Sequence, residues 1–313
     1  MDNKPNAALI NKTQFDKNPN KTLIGLNRTM ELFRVFLKLI FRNKLTGISF
    51  IVCGLLVLVA IFAPLIAPYP SEGIGDVNLN NIFLRPSSLH PFGTDEMGRD
   101  ILSRVIFGTR ISLIISTVTI LVALLIAVPI GLISGYYGGI IDEIIMRIND
   151  IFLSFPPLLI AIIICSFTGP SLKNACIAIV IAWWPWYSRI IRAQVISLKE
   201  KPFVKASKCI GSSDWYIMFS HILPNTIAPV IIQASLDMGS VILTVAALGF
   251  LGLGAQPPQP EWGLIVSSAR AYILDAWWYS TFPGLAILVT VLSFNLIGDG
   301  LREVLDPRTR GRR

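Results

Sequence analysis

The sequence predicts an all-α protein that crosses a membrane several times, and three observations carry this prediction. Of its 313 residues, 53% are hydrophobic and only 15% are charged, whereas a soluble domain averages about 25% charged residues. The mean hydropathy is +0.64. Apolar runs near the ~20 residues that a bilayer requires recur along the chain. These observations exclude an ordinary soluble enzyme, and they exclude a disordered chain, which would be polar and rich in charge.

The first elements are a polar tail and a surface helix. Residues 1–29 are rich in Asn and Lys, and we expect a disordered tail there. No apolar core with a small-residue cleavage site occurs in this tail, so no cleaved signal peptide is expected. Residues 30–46 alternate apolar and basic side chains, which predicts an amphipathic helix lying on the membrane surface.

Six transmembrane helices are predicted next, the first of them within 47–68. Prolines and tryptophans interrupt the third and fourth of these helices, and proline is tolerated where neighbouring groups satisfy the freed carbonyls. Gly131, Gly135 and Gly139 repeat at four-residue spacing, which favours close helix packing. The approximate spans are 47–67, 111–135, 144–167, 174–192, 226–253 and 278–298.

The distribution of basic residues predicts the orientation. If the N-terminus is cytoplasmic, 21 of the 27 Lys and Arg residues lie in inside segments and six in outside segments. Cytoplasmic loops carry an excess of Lys and Arg, so both termini are predicted to be cytoplasmic, the second as a tail over 301–313. An outside loop over 69–108 is then long enough to carry function.

The inside loop over 197–224 has the signals of two short helices joined by a sharp turn. Residues 205–209 are a helix candidate, and Gly211 suits the left-handed residue just past a helix end. Ser212, Ser213 and Asp214 can cap a following helix. Pro224 stops that helix or begins the fifth span.

This inside loop resembles the EAA loop of ABC importer permeases, which reads E-A-A, three residues, G, nine residues, I, one residue, L-P. The positions that match are Ala206, Gly211, Leu223 and Pro224, and the departures are Lys205 for Glu, Ser207 for Ala and His221 for Ile. The resemblance implies that the loop, including Phe203, Ser212 and Asp214, lies in a groove of a cytoplasmic ATPase. On spacing alone, a plain cytoplasmic hairpin is the alternative.

Further motifs extend the resemblance over most of residues 30–310. They are FGTD at 92–95, GRD at 98–100, ALGFLGLGAQ at 247–256, PEWG at 260–263, GDGLR at 298–302 and LDP at 305–307. These motifs resemble the C-type permease subunit of peptide and nickel importers, and most closely its dipeptide-transporting branch. The resemblance implies a MetI-like permease fold with a core over 109–300, which contains five of the six transmembrane helices.

What the resemblance implies about function is ATP-driven import of dipeptides or short peptides across a bacterial inner membrane. Its expected partners are a sister permease that completes the pore, two cytoplasmic ATP-binding subunits, a periplasmic substrate-binding protein and the lipid bilayer. Nickel, oligopeptides and antimicrobial peptides are alternative cargoes. No catalytic residue, cofactor or nucleic-acid partner is expected, and no P-loop occurs that could bind ATP.

Asp237 is the one acidic residue predicted to lie inside the fifth span. A carboxylate at mid-bilayer costs about 2.5–3.5 kcal/mol on insertion scales, so it should face protein or water. It is therefore a candidate pathway residue, with a hydrogen bond to a neighbouring helix as the alternative. A distant further alternative is a secondary transporter that couples an ion through this residue.

The cysteines and histidines give no sign of a metal site. The four cysteines show no CxxC spacing, and we expect small buried hydrophobic side chains, although Cys165 and Cys176 are placed where a bridge is conceivable. No carboxylate or cysteine has metal-ligand spacing to His221.

Overall fold

The structure, a computed structural model, describes Phe41 and residues 43–305. The regular structure of this part is helical, and it contains no strand beyond one isolated bridge between Thr94 and Asp100. The predicted tails, and most of the predicted surface helix over 30–46, lie outside the described residues. The helices are α1 (Lys44–Ile61), α2 (Ala63–Ile66), α3 (Pro70–Ile74), α4 (Ile101–Tyr137), α5 (Gly139–Leu153), α6 (Pro157–Thr168), α7 (Leu172–Lys199), α8 (Pro202–Cys209), α9 (Asp214–Tyr216), α10 (Leu223–Phe250), α11 (Trp262–Ala269) and α12 (Trp277–Leu305). Short 3₁₀ turns lie at Leu79–Asn81 and Arg270–Tyr272, and a π-helix at Ile217–Ile222.

Four helical segments of the described chain are long and apolar enough to cross a membrane, and a bent helix pair makes a fifth. The four are Lys44–Ile61, Ile101–Tyr137, Asp214–Phe250 and Trp277–Val304. The predicted fourth span lies in α7, whose 28 residues extend for about 42 Å at 1.5 Å per residue. Six spans are compatible with this architecture and stay a prediction, as does the side on which the termini lie.

The third predicted span is not one straight helix. It is divided into α5 and α6, which meet at an angle of 83°. Pro156 and Pro157 supply the reason, since two consecutive residues have no N–H to donate, and a proline drives the residue before it out of the helical region. The single prolines Pro185 and Pro229 are instead accommodated inside α7 and α10.

The second span begins earlier than its apolar run. Helix α4 starts at Ile101 instead of near residue 111, because the side chain of Asp100 caps it by accepting from Ser103 N at 2.8 Å. The connection from α1 to α4 therefore runs over 62–100 and lies earlier in the chain than the predicted loop over 69–108.

Close packing between α4 and α7 depends on two of the three spaced glycines. A Cβ atom on Gly131 would lie 2.7 Å from the carbonyl oxygen of Ser188, and one on Gly135 would lie 2.7 Å from Cβ of Val195. The prediction of close packing is right at these two positions. Gly139 differs, because it has φ +58° and nothing within 4 Å, so as the first residue of α5 it serves the turn out of α4.

The segment before α4 is tied to the bundle by buried ionic groups. Asp95 accepts from Arg99 Nε at 2.7 Å and lies 3.6 Å from Arg104 Nε, and all three residues are buried. His90 Nδ1 lies 3.0 Å from Asp100 Oδ1, and both residues are buried. These contacts hold the segment against the helices.

All four cysteines are free. Cys165 is buried, and Cys176 pairs its sulfur with the hydroxyl of Thr119 at 3.0 Å. The conceivable bridge between Cys165 and Cys176 is therefore not formed.

Candidate coupling loop and membrane pocket

The segment from Pro202 to Tyr216 has the form that its sequence predicts. Helix α8 begins with Pro202 at its first position, where a missing N–H costs nothing. Gly211 follows the end of this helix with φ +82°, a conformation that few other residues adopt. Ser213 then caps α9 by accepting from Tyr216 N at 3.3 Å. The result is helix, sharp turn, helix.

One face of this segment is buried against the bundle. Val204 and Ser207 of α8 are buried, and Ile217, Met218 and Ile222 of the π-helix are completely inaccessible. Burying one large apolar side chain stabilises the folded state by about 1.5–3 kcal/mol. The segment is therefore packed against the bundle and is not an isolated hairpin.

The opposite face exposes large apolar side chains. Ile210, at the turn, is 82% exposed, and Trp215 is 58% exposed. The other exposed apolar residues of this face are Phe203, Tyr216 and Phe219. Exposed apolar side chains grouped along one short segment suit an interaction surface, for a protein or for a membrane. We call this set the exposed apolar face.

The predicted loop residues divide between the two faces. Phe203, Lys205, Ala206, Gly211 and Pro224 are exposed, Ser212, Asp214, His221 and Leu223 are half-buried, and Ser207 is buried. The imidazole of His221 brings both helices together, because its ring makes edge contacts with Phe203 at 6.4 Å and Tyr216 at 5.3 Å between centroids. Lys205 pairs within the segment, with Glu200 Oε2 at 2.8 Å.

Polar contacts join this segment to the ends of α4 and α7. The hydroxyl of Tyr136 donates to Asp214 Oδ1 at 2.6 Å, and Lys199 Nζ donates to the carbonyl of Tyr136 at 3.1 Å. The three residues line a cleft of about 330 Å³. Tyr136 was not among the residues predicted from the sequence, since 78 positions separate it from Asp214.

A second polar cluster joins three helices nearby. Asp142 of α5 accepts from both Nε and Nη2 of Arg192 of α7 at 2.5 Å, and the hydroxyl of Ser134 of α4 donates to the same carboxylate. A bidentate pair fixes direction as well as distance. The ends of α4, α5 and α7 are therefore held in one arrangement beside the loop.

The predicted pathway residue lines a small pocket that is open to the surface of the chain. Asp237 is 8% exposed, and its Oδ1 accepts from Gln233 Nε2 at 3.0 Å. The pocket has a volume of about 180 Å³. Its walls are Leu153, Pro157, Ala182, Trp183, Trp186, Asp237 and Ser240. Residues of three predicted spans thus meet at this carboxylate.

A buried carboxylate also stands at the start of α11, outside the long spans. Glu261 caps that helix by accepting from the N–H groups of Gly263 and Leu264 at 2.9 and 2.8 Å. Burial raises the pKa of the Glu261 carboxyl to about 7, against the two hydrogen bonds that lower it. Gly263 must be a glycine, because a Cβ atom there would lie 2.1 Å from the carbonyl oxygen of Ala246. The sequence showed Glu261 only as part of a motif, with no sign of its burial.

No group of three or more His, Cys, Asp or Glu side chains in the described part of the chain is arranged to hold a metal ion.

Family comparisons agree with the helical architecture. The family described as binding-protein-dependent transport system inner membrane component matches residues 127–311. The N-terminal transmembrane domain of oligopeptide transport permease C matches residues 31–86. The two matches together take in the predicted surface helix, the first span, the loop and the pocket.

Individual relatives cover nearly the whole chain. The dipeptide transport system permease protein DppC of Alkalihalophilus pseudofirmus is 48% identical, covering 86% of this chain and 88% of the relative. The probable D,D-dipeptide transport system permease protein DdpC of Escherichia coli K12 is 45% identical over 86% and 90%. A glutathione transport system permease protein, GsiD of Escherichia coli O6:K15:H31, is 43% identical over 82% and 84%.

A solved structure has the same fold. A chain of the inward-facing MetNI methionine ABC transporter superposes with a TM-score of 0.54 at 20% identity, covering 66% of this chain and 98% of that one. The likeness lies in the arrangement of the helices.

Proposed function

The chain belongs to the family of binding-protein-dependent transport system inner membrane components, and on this premise we propose that its cargo is a dipeptide or another short peptide. It is a permease subunit of an ABC importer and resides in the inner membrane. Relatives named for dipeptides and for glutathione, itself a small peptide, support peptide cargo over nickel.

We further propose that the segment over 197–224 is cytoplasmic and docks on an ATPase subunit. The observation that carries this proposal is the exposed apolar face, which protrudes from a segment whose other face is anchored to the bundle. A short helical element that presents apolar side chains to a groove is a recurring mode of protein recognition. Because Tyr136 ties Asp214 of the segment to α4, and Lys199 ties the end of α7 to Tyr136, motion of the ATPase would pass into those helices.

A complete transporter would contain this chain, a sister permease and two ATPase subunits. One chain has one docking segment and so would bind one ATPase subunit. A second permease would form the other side of the pathway through the membrane. A binding protein would deliver the peptide from outside, and ATP-driven closure of the ATPases would open the pathway toward it. In this scheme the chain carries out no covalent chemistry, and ATP is hydrolysed by the partners.

The first test is purification of the tagged chain in mild detergent, with its partners identified by mass spectrometry. We expect a second permease and ATPase subunits at near-equal amounts to the tagged chain. The test variant is Ile210→Asp, which places a charge in the exposed apolar face. This variant should lose the ATPase while the sister permease stays bound. Recovery of the chain alone, or retention of the ATPase by the Ile210→Asp variant, would contradict the docking proposal.

Cargo is tested by reconstituting the complex with its binding protein in proteoliposomes. We expect ATP-dependent accumulation of a labelled dipeptide and none of nickel. Accumulation of nickel alone would refute peptide cargo and would leave the docking proposal intact.

A further inference from the structure

The carboxylate of Asp237 is buried without a cationic partner. Gln233 donates to Oδ1, and no Lys or Arg of the described chain forms an ion pair with the carboxylate. The phenol of Tyr187, completely buried, lies beside the same carboxylate and interacts with it, so its hydroxyl is a neutral neighbour of the carboxylate and supplies no positive charge. A buried charge left in this state is costly unless something pairs with it.

The walls of the pocket suit a cation. Trp183 and Trp186 of α7 line it, and the face of an indole ring attracts an ammonium group within about 6 Å. Ser240, which is exposed, adds a hydroxyl at the rim. Carboxylate, hydroxyl and aromatic faces are together the groups that recognise amines.

The break between α5 and α6 adds a further source of negative potential. Helix α5 ends at Leu153, and the residue four positions later is Pro157, which has no N–H to donate to the carbonyl of Leu153. Both residues line the pocket. A helix C-terminus carries about half a negative charge, which favours a cation.

We propose that this pocket binds the protonated amino group of the peptide during its passage through the membrane. The inference rests on the proposed function, since it concerns the same cargo. A pocket of about 180 Å³ is smaller than the roughly 300–1,000 Å³ of sites that enclose a whole small ligand. It therefore holds one end of the peptide and leaves the remainder in the pathway, against the sister subunit.

The first test measures the charge preference of the pocket in the assembled transporter. Ser240→Cys is introduced into a chain whose native cysteines are replaced by serine, and its reaction with positively and negatively charged methanethiosulfonate reagents is timed. We expect the positive reagent to react at least about tenfold faster, relative to a free thiol, and Asp237→Asn to reduce this ratio at least about threefold. An unchanged ratio in the Asp237→Asn variant would overturn the assignment of a cation site.

The second test measures transport in proteoliposomes that contain the complete transporter and its binding protein. Asp237→Asn is expected to lower uptake of a labelled dipeptide about tenfold and to leave ATP hydrolysis within twofold of the wild type, while Asp237→Glu keeps at least half of the uptake. Ser235→Ala is the control, because its hydroxyl bonds only the Ile231 carbonyl within its own helix.

The outcomes separate this inference from the proposed function. Normal uptake by Asp237→Asn would refute amine binding, and so would a parallel fall of uptake and ATP hydrolysis, which would indicate a structural role. Failure of the wild type to accumulate any dipeptide would refute peptide cargo, and amine binding with it. Transport that instead needs a proton or sodium gradient would assign Asp237 to ion coupling and overturn the inference.

Discussion

The hydrogen bond from Tyr136 to Asp214 predicts how the segment over 197–224, which we propose as the coupling segment, can be loosened without unfolding the chain. Tyr136→Phe removes one hydroxyl and keeps the ring, so the packing of this 7%-exposed side chain is preserved. The lost bond, 2.6 Å long, has a charged acceptor. Such bonds contribute about 1.5–3 kcal/mol, and we take the lower value because half-buried Asp214 regains water. A loss of about 1.5 kcal/mol shifts the equilibrium between docked and released positions of the segment about tenfold.

The assay is the number of peptides accumulated per ATP hydrolysed in proteoliposomes. We expect this ratio to fall between about threefold and tenfold in Tyr136→Phe, because the contacts of Val204 and Met218 still hold the segment. ATP hydrolysis itself should persist, since the exposed apolar face is unaltered.

The matched control is Tyr137→Phe. Tyr137 is the next residue, lines the same cleft and packs its ring against that of Tyr136 at 5.3 Å, but its hydroxyl makes no hydrogen bond to described residues. This variant should keep the wild-type ratio. An unchanged ratio in Tyr136→Phe, or an equal fall in both variants, would refute the reasoning.

Three further predictions concern stability in detergent. Gly263→Ala forces α11 away from α10 and should cost about 1–3 kcal/mol, seen as a lower melting temperature, whereas Gly54→Ala, with nothing within 4 Å, should lower it little or not at all. Burial raises the pKa of Glu261 from 4.5 to about 7, so its contribution to stability is complete below pH 4.5 and is lost as pH rises through 7; melting temperatures at about pH 5 and about pH 8 should differ less in Glu261→Gln than in the wild type. Arg192→Gln removes the guanidinium from Asp142, which keeps only the Ser134 hydroxyl as a donor in the described chain, and should lower stability by about 1–3 kcal/mol. Protease resistance equal to the wild type would contradict this.

Local features of the fold could be predicted because their causes are local. The turn at Gly211 needs a left-handed residue, and the serine at 213 caps the helix that follows it, so the sequence carries both signals within a few positions. The double proline at 156 and 157 was equally visible, but its effect was underestimated, because one proline bends a helix whereas two in succession end it.

Contacts between distant segments left no such signal. Tyr136 meets Asp214 across 78 positions, and Asp142 meets Arg192 across 50. The sequence around each of these residues does not predict its partner, because the packing of the helices determines which side chains meet. For the same reason Asp237 could be singled out by its position inside a predicted span, while its shared pocket with Leu153 and Pro157 of another predicted span could not.

The chain continues without a break from the π-helix into α10, so one helical rod connects the segment that we propose to dock on the ATPase with the pocket at Asp237. From Leu223 to Asp237 is 14 residues, about 21 Å of helix. Between them Pro229 has no N–H to bond the carbonyl of Asn225, so the helix bends most readily at this position. In the proposed scheme, an ATPase that pushes on this helix along its length would move its far end partly sideways, the direction in which this chain and its sister permease would separate.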